Sequence, residues 1–194
     1  MSDLAGKNIL LGITGGIAAY KSAQLCRELK RLGADVRVIM TGAATRFITP
    51  LSLQALSGHP VHSDLFEAES DHGMGHIELA RWADQFIIAP ASANTIAKLA
   101  HGQADDLLST IVLACDKPLS LAPAMNKLMW QHLATQQNIQ LLIRRGVRIL
   151  GPDEGEQACG EQGPGRMLEA EKIVEHLLQQ PNNNLLAGIN IVLT

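Results

Sequence analysis

Aromatic side chains are scarce. Two Trp, one Tyr and three Phe make up 3% of the 194 residues. A surface that grips single-stranded nucleic acid by base stacking normally needs more rings. Positive charge is not in excess either: the net charge is −3 and the sequence pI about 6.1. That excludes a broad electrostatic footprint for nucleic acid and leaves room only for a local basic patch. No apolar run approaches the roughly 18 residues of a membrane span, and mean hydropathy is only +0.08. Residues 1–8 carry Asp3 and Lys7 and lack an apolar signal core, which predicts no export. Cysteine is limited to Cys26, Cys115 and Cys159, an odd number without a C-x-x-C pair. That usage fits a reduced, cytoplasmic compartment.

What is present is a globular composition, 46% hydrophobic and 18% charged. A chain of this length is one domain by default and buries roughly 70% of its unfolded surface. Short apolar runs at 8–13, 35–40, 85–90, 118–123 and 147–150 suit strands covered on both faces. Helical patterns lie between and after them, at 16–32, 51–56, 93–101, 105–114, 126–135, 138–145 and 168–180. In the first, Ile17, Lys21, Leu25, Leu29 and Leu32 share one stripe, with Lys21 at its solvent edge. Strands alternating with helices predict an α/β fold: an open, doubly wound parallel sheet in a three-layer α/β/α arrangement. Its ligands would sit at the carboxyl ends of the strands. Residues 179–184 (QQPNNN) read as a linker, and 189–193 as the start of another strand. No repeat with a period of 20–50 residues is visible.

The strand ends carry the candidate chemistry. After the first strand comes Gly12-Ile13-Thr14-Gly15-Gly16-Ile17, in which Thr14 stands where the dinucleotide fingerprint G-x-G-x-x-G needs glycine. Small residues before a helix start suit a single phosphate. The alternative is a tight turn with no ligand. Thr41 follows the second strand and could reach a phosphate or cap a helix. Ser92, Asn94 and Thr95 cluster after the third, either as anion-site donors or as a capping group. Asn126 follows the fourth, placed to hydrogen-bond a carboxylate or to cap the next helix.

His76 lies among glycines at a loop-to-helix junction. With His72 it could mimic a metal pair, but no third ligand has suitable spacing, so no metal site is expected. Cys26 and Cys115 sit in apolar stretches and fit a core role. Cys159 has three glycines and a proline close after it, which suits a mobile flap and makes it the cysteine to test for reactivity. Asp105 and Asp106 are adjacent, so capping fits them better than paired-acid catalysis.

The motifs Gly15-Gly16-Ile17-Ala18-Ala19-Tyr20-Lys21, Gly75-His76-Ile77-Glu78-Leu79, Pro90-Ala91-Ser92-Ala93-Asn94-Thr95, Pro123-Ala124-Met125-Asn126 and Ala158-Cys159-Gly160-Glu161-Gln162-Gly163-Pro164-Gly165-Arg166-Met167 occur in this order. Together the chain resembles the flavin-dependent cysteine decarboxylases. Within them it resembles the branch that acts on phosphopantothenoylcysteine in coenzyme A synthesis. The resemblance covers about 5–178, within a decarboxylase domain of 1–180. It implies that 181–194 are a linker and the first strand of a truncated ligase domain, so ligase activity is expected to be absent. It implies FMN bound between protomers of a homotrimer, often four trimers to a dodecamer, with Gly15, Gly16 and Ile17 at the phosphate and Thr41, Ser92, Asn94 and Thr95 adding polar contacts. It assigns catalysis to Cys159, His76 and Asn126, with Met125 and Ala158 among the substrate contacts. The implied reaction oxidises the sulfur-bearing carbon to a thioaldehyde, loses CO2 and reduces the ene-thiolate. Peptidyl-cysteine decarboxylation, a non-catalytic flavin-binding regulatory subunit and an NAD-binding domain are the alternatives.

Overall fold

The computed structural model describes residues 4–65, 75–158 and 160–179. All of the predicted linker but Gln179, and the predicted final strand, together with His72 and Cys159, lie outside them. The elements are β1 (Asn8–Ile13), α1 (Lys21–Arg31), β2 (Asp35–Met40), α2 (Pro50–Ser57), β3 (Val61–His62), α3 (Gly75–Trp82), β4 (Gln85–Ala91), α4 (Ala93–His101), α5 (Leu107–Ala114), β5 (Leu119–Pro123), α6 (Lys127–Gln131), α7 (Leu133–Arg144), β6 (Arg148–Ile149), β7 (Asp153–Glu156), β8 (Gln162–Arg166) and α8 (Ala170–Leu178). Six strands form one parallel sheet in the order β3-β2-β1-β4-β5-β6, and β7 and β8 pair as an antiparallel hairpin.

The helical crossovers of this parallel sheet cover both of its faces, so its strands are apolar on both sides. Ile9, Leu11 and Ile13 of β1 face one layer, with Leu25 and Leu29 of α1, Leu53 of α2 and Ile173 and Leu177 of α8. Leu10 of the same strand faces the other layer, with Leu79 of α3, Ile96 of α4, Leu108 and Ile111 of α5 and Leu142 of α7. Helix ends follow local chemistry. Pro50 opens α2 at its first turn, and Gly58 closes it at φ +79°, a left-handed conformation that costs glycine no steric clash. No helix among the described residues is long and apolar enough to cross a membrane.

Two expectations are corrected, and three short strands had no expectation at all. The first turn of the 16–32 segment is a 3-10 turn, Ile17–Tyr20, and the α-helix begins at Lys21. Three residues per turn shifts the phase before Lys21, so the stripe fails at Ile17, which is 62% exposed. Lys21 keeps α-helical register with Leu25, but its side chain is only 11% exposed rather than at a solvent edge, because its ammonium reaches the Met167 carbonyl and Glu169. The break expected near 136–137 falls instead at His132, whose extended backbone ends α6 and whose Nδ1 accepts the Ala134 N–H at 3.2 Å. A histidine cap carries no Gly or Pro signal. Finally, β7 and β8 have polar, glycine-rich sequences (DEGE and QGPGR) without strand-like apolar alternation, and β3 is only two residues long.

Candidate functional site

Strand order reverses between β1 and β4, and open α/β sheets bind ligands in the crevice at such a switch point. A cavity of about 1000 Å³ opens there, at the top of the roughly 300–1,000 Å³ range of small-molecule sites. Four strand-end loops and the β7–β8 hairpin line it. Gly15, Gly16 and Ile17 come from the first loop and Thr41 from the second. Ser92, Asn94 and Thr95 come from the third, Met125 and Asn126 from the fourth, and Ala158 from the hairpin. Ten of the twelve residues singled out from the sequence therefore share one cavity.

His76 is not among its lining residues. It is half-buried in the first turn of α3. Because α3 ends just before β4 begins, that turn points back toward the carboxyl ends of the strands. Cys159 lies outside the described residues. Among the described residues no group of three His, Cys, Asp or Glu side chains is placed to hold a metal ion.

Thr14 braces the first and third loops, a role hidden in the sequence except as the side chain that displaces a fingerprint glycine. It is 1% exposed. Its hydroxyl donates to the Pro90 carbonyl at 2.8 Å and accepts the Ser92 N–H at 2.9 Å. Ser92 then caps α4 by accepting the Thr95 N–H at 3.3 Å, and its hydroxyl meets that of Thr95 at 3.1 Å. A Cβ on Gly15 would lie 2.6 Å from the Ala43 Cβ, so glycine there lets the first two loops touch. At Gly16 and Gly42 a Cβ would meet nothing within 4 Å, and both residues line the cavity.

The cations around the cavity are already paired. Lys21 Nζ meets Glu169 Oε1 at 2.6 Å and the Met167 carbonyl at 3.2 Å. Arg166 lies 3.5 Å from the same carboxylate. Lys98 contacts Asp105 at 2.7 Å and Asp106 at 2.9 Å, and hydrogen bonds to Asp105 and Asp106 hold its ammonium above the ordinary lysine range. Burial pushes the Asp106 carboxyl up, but bonds from the Ser109 N–H, Lys98 and the Ser109 hydroxyl outweigh it and hold the group below the usual carboxylate range. Asp106 is thus the cap expected of it, in a reciprocal box with Ser109 at the start of α5. An anion in this cavity would be met mainly by backbone N–H groups and hydroxyls, the chemistry of a phosphate cradle. Elsewhere, burial pushes the Cys26 thiol up to about 11, which suits the inert core role expected of it.

The hairpin is docked onto the fourth loop. Met125 N–H donates to the Gly165 carbonyl at 2.9 Å. Gln157 accepts the Lys127 N–H at 3.1 Å and donates to the Pro164 carbonyl at 3.1 Å. A side chain at Gly165 (φ +135°) would run into the Met125 carbonyl, so only glycine allows this approach. Asn126 caps α6 by accepting the Leu128 N–H at 2.8 Å, and its amide donates to Glu161 Oε2 at 2.5 Å.

The profile of the Flavoprotein family matches residues 1–181. The chain is 53% identical over 194 residues to the coenzyme A biosynthesis bifunctional protein CoaBC of Vibrio cholerae, covering 100% of this chain and 49% of that protein. It is also 53% identical to CoaBC of Escherichia coli K12, covering 99% and 48%. The chain therefore spans about half the length of the curated relatives it matches. Among solved structures, a Cys-to-Ser variant of PPC decarboxylase complexed with pantothenoylaminoethenethiol superposes with TM-score 0.78 at 37% identity, covering 88% of this chain and 96% of that one. The FMN-dependent cysteine decarboxylase SpaF gives 0.79 at 32%, covering 91% and 98%. The FMN-binding protein AtHal3 gives 0.76 at 37%, covering 90% and 97%. With its parallel sheet, its cavity at the switch point and these relatives, the chain belongs to the flavoprotein family that includes the FMN-dependent cysteine decarboxylases.

Proposed function

We propose that the cavity binds FMN and that the protein decarboxylates phosphopantothenoylcysteine to phosphopantetheine, in coenzyme A synthesis. One observation carries this reading. A single cavity of about 1000 Å³ joins an open glycine cradle at Gly16, a hydroxyl and amide cluster at Ser92–Thr95, and Asn126 beneath the hairpin. The residues fit FMN: Gly16 and Gly42 leave the space a phosphate and ribityl chain need. Thr41, Ser92, Asn94 and Thr95 offer neutral donors while the nearby cations are held by carboxylates.

Bound FMN supplies a two-electron sink for the sulfur-bearing carbon, which lets the neighbouring carboxylate leave, and later returns those electrons. In this reading Gly15, Gly16 and Ile17 lie at the phosphate. Asn126 orients the substrate carboxylate, with its own amide fixed by the Leu128 N–H. Met125 and Ala158 flank the substrate, and Cys159 returns a proton. His76 pairs with the thiol or carboxylate from outside the single-chain cavity, which fits a site shared between protomers of a homotrimer or a dodecamer built from trimers. Exposed apolar residues support that assembly: Ile17, Tyr20 and Met129 line the cavity, and Phe47, Leu51, Leu128 and Leu133 follow its second and fourth loops. The free thiols of Cys26 and Cys115 support a reducing, cytoplasmic setting.

The test is to equilibrate the purified protein with FMN and present phosphopantothenoylcysteine beside a peptide ending in cysteine. The reading expects a bound flavin spectrum and CO2 from the first substrate. CO2 from the peptide alone, or retention of NAD rather than FMN, overturns it.

A further inference from the structure

The Asn126 amide is already engaged by a carboxylate belonging to the chain. Its Oδ1 accepts the Leu128 N–H at 2.8 Å, so the Nδ2 side must face the opposite way. There it donates to Glu161 Oε2 at 2.5 Å. Glu161 Oε1 lies 3.9 Å from Lys127 Nζ, and the side chain is 39% exposed. A carboxylate at the rim that needs no core burial can leave its partner at small cost to the fold. The substrate's carboxylate carries the same charge and acceptor geometry as the Glu161 side chain.

We propose that Glu161 is a positioning residue that competes with the substrate carboxylate for the Asn126 amide and takes it back as CO2 departs. This rests on the decarboxylase reading above. The amide nitrogen carries two N–H groups, but two carboxylates held on one nitrogen lie close enough for like charges to repel. Substrate binding and the Glu161 contact therefore oppose each other, and the substrate displaces Glu161 as it binds. When the C–C bond breaks, its electron pair stays with the substrate carbon and the carboxylate leaves as neutral CO2, a poor acceptor. Glu161 then returns to the amide. The effect is to weaken the ground-state hold on a group that must lose its charge. Tight, uniform binding of that group would lower KM without raising kcat.

The test is Glu161→Gln, which keeps size and an acceptor but removes the competing charge. KM for phosphopantothenoylcysteine should fall about tenfold, the size of one charge-assisted hydrogen bond, and kcat should fall with it. A joint fall is the signature of lost ground-state strain. Calorimetry should show tighter binding of phosphopantothenoylcysteine and unchanged binding of phosphopantetheine, which lacks the carboxylate. A purely structural brace would instead leave both constants alone, or weaken both ligands equally in Glu161→Ala. Unchanged or raised KM in Glu161→Gln, or parallel changes for the two ligands, overturns the proposal while leaving the decarboxylase reading intact. If the unaltered protein releases no CO2, that reading falls, and the two-ligand calorimetry still decides whether Glu161 competes for a carboxylate.

Discussion

Replacing Thr14 by Val is the sharpest test of how the first and third loops are held together. The two side chains are nearly isosteric, so the substitution removes two hydrogen bonds and opens no cavity. The Pro90 carbonyl keeps the Thr14 N–H at 3.3 Å, but the Ser92 N–H loses the acceptor it had at 2.9 Å. One part-buried donor loses its acceptor, which costs about 1–2 kcal/mol. For a chain of this size that is a fall in Tm on the order of 2–8 °C. Urea unfolding should show a lower midpoint with an unchanged m-value, since the surface exposed on unfolding does not change. FMN affinity should fall as well, because Ser92 caps α4 beside the cavity. Thr14→Ser, which restores the hydroxyl, should recover both. A Thr14→Val protein within about 0.5 kcal/mol of the parent, the range of an ordinary surface change, would refute the bracing role.

Three further outcomes follow from the same geometry. Gly16→Val has extended backbone (φ 167°, ψ 158°) and no neighbour within 4 Å of its Cβ. Its thermal stability should match the parent while FMN titration shows at least about a tenfold loss in affinity, the cost of roughly 1.4 kcal/mol. The Asp106 carboxyl is held below the ordinary range in the folded state, so the unfolded chain binds that proton first as pH falls. Its stabilisation is complete above the ordinary carboxylate range and lost as pH drops through the lowered folded value. Asp106→Asn keeps an acceptor for the Ser109 N–H and should flatten acid-range stability measured by urea midpoints. His132→Ala removes the α7 cap and should cost about 1 kcal/mol by urea unfolding, whereas His132→Asp should restore it.

Much of the fold was legible because the central strands obey simple rules. β1 and β2 fall at 8–13 and 35–40 as their apolar runs predict, and α4 spans 93–101 as its pattern and Gly102 predict. Local capping chemistry was legible too, at Ser92, Asp106 and Asn126. What escaped has physical reasons. The hairpin is held by Gln157, by main-chain bonds and by a glycine fitted under the Met125 carbonyl, none of which leaves a hydrophobic period. Lys21 and Glu169 lie 148 positions apart, so their pairing has no local signature. Glu161 on Asn126 is likewise a contact across 35 positions. The 3-10 turn that swings Ile17 outward depends on how the Gly15–Gly16 turn meets the second loop, which hydrophobic spacing does not encode.

Decarboxylation is decided by where one carbon atom goes. Phosphopantothenoylcysteine labelled at its cysteinyl carboxyl, mixed with excess FMN-loaded protein for a single turnover, should release the label as CO2 in step with the appearance of unlabelled phosphopantetheine. Label that stays in the organic product, with the flavin bound and the substrate in place, would contradict it.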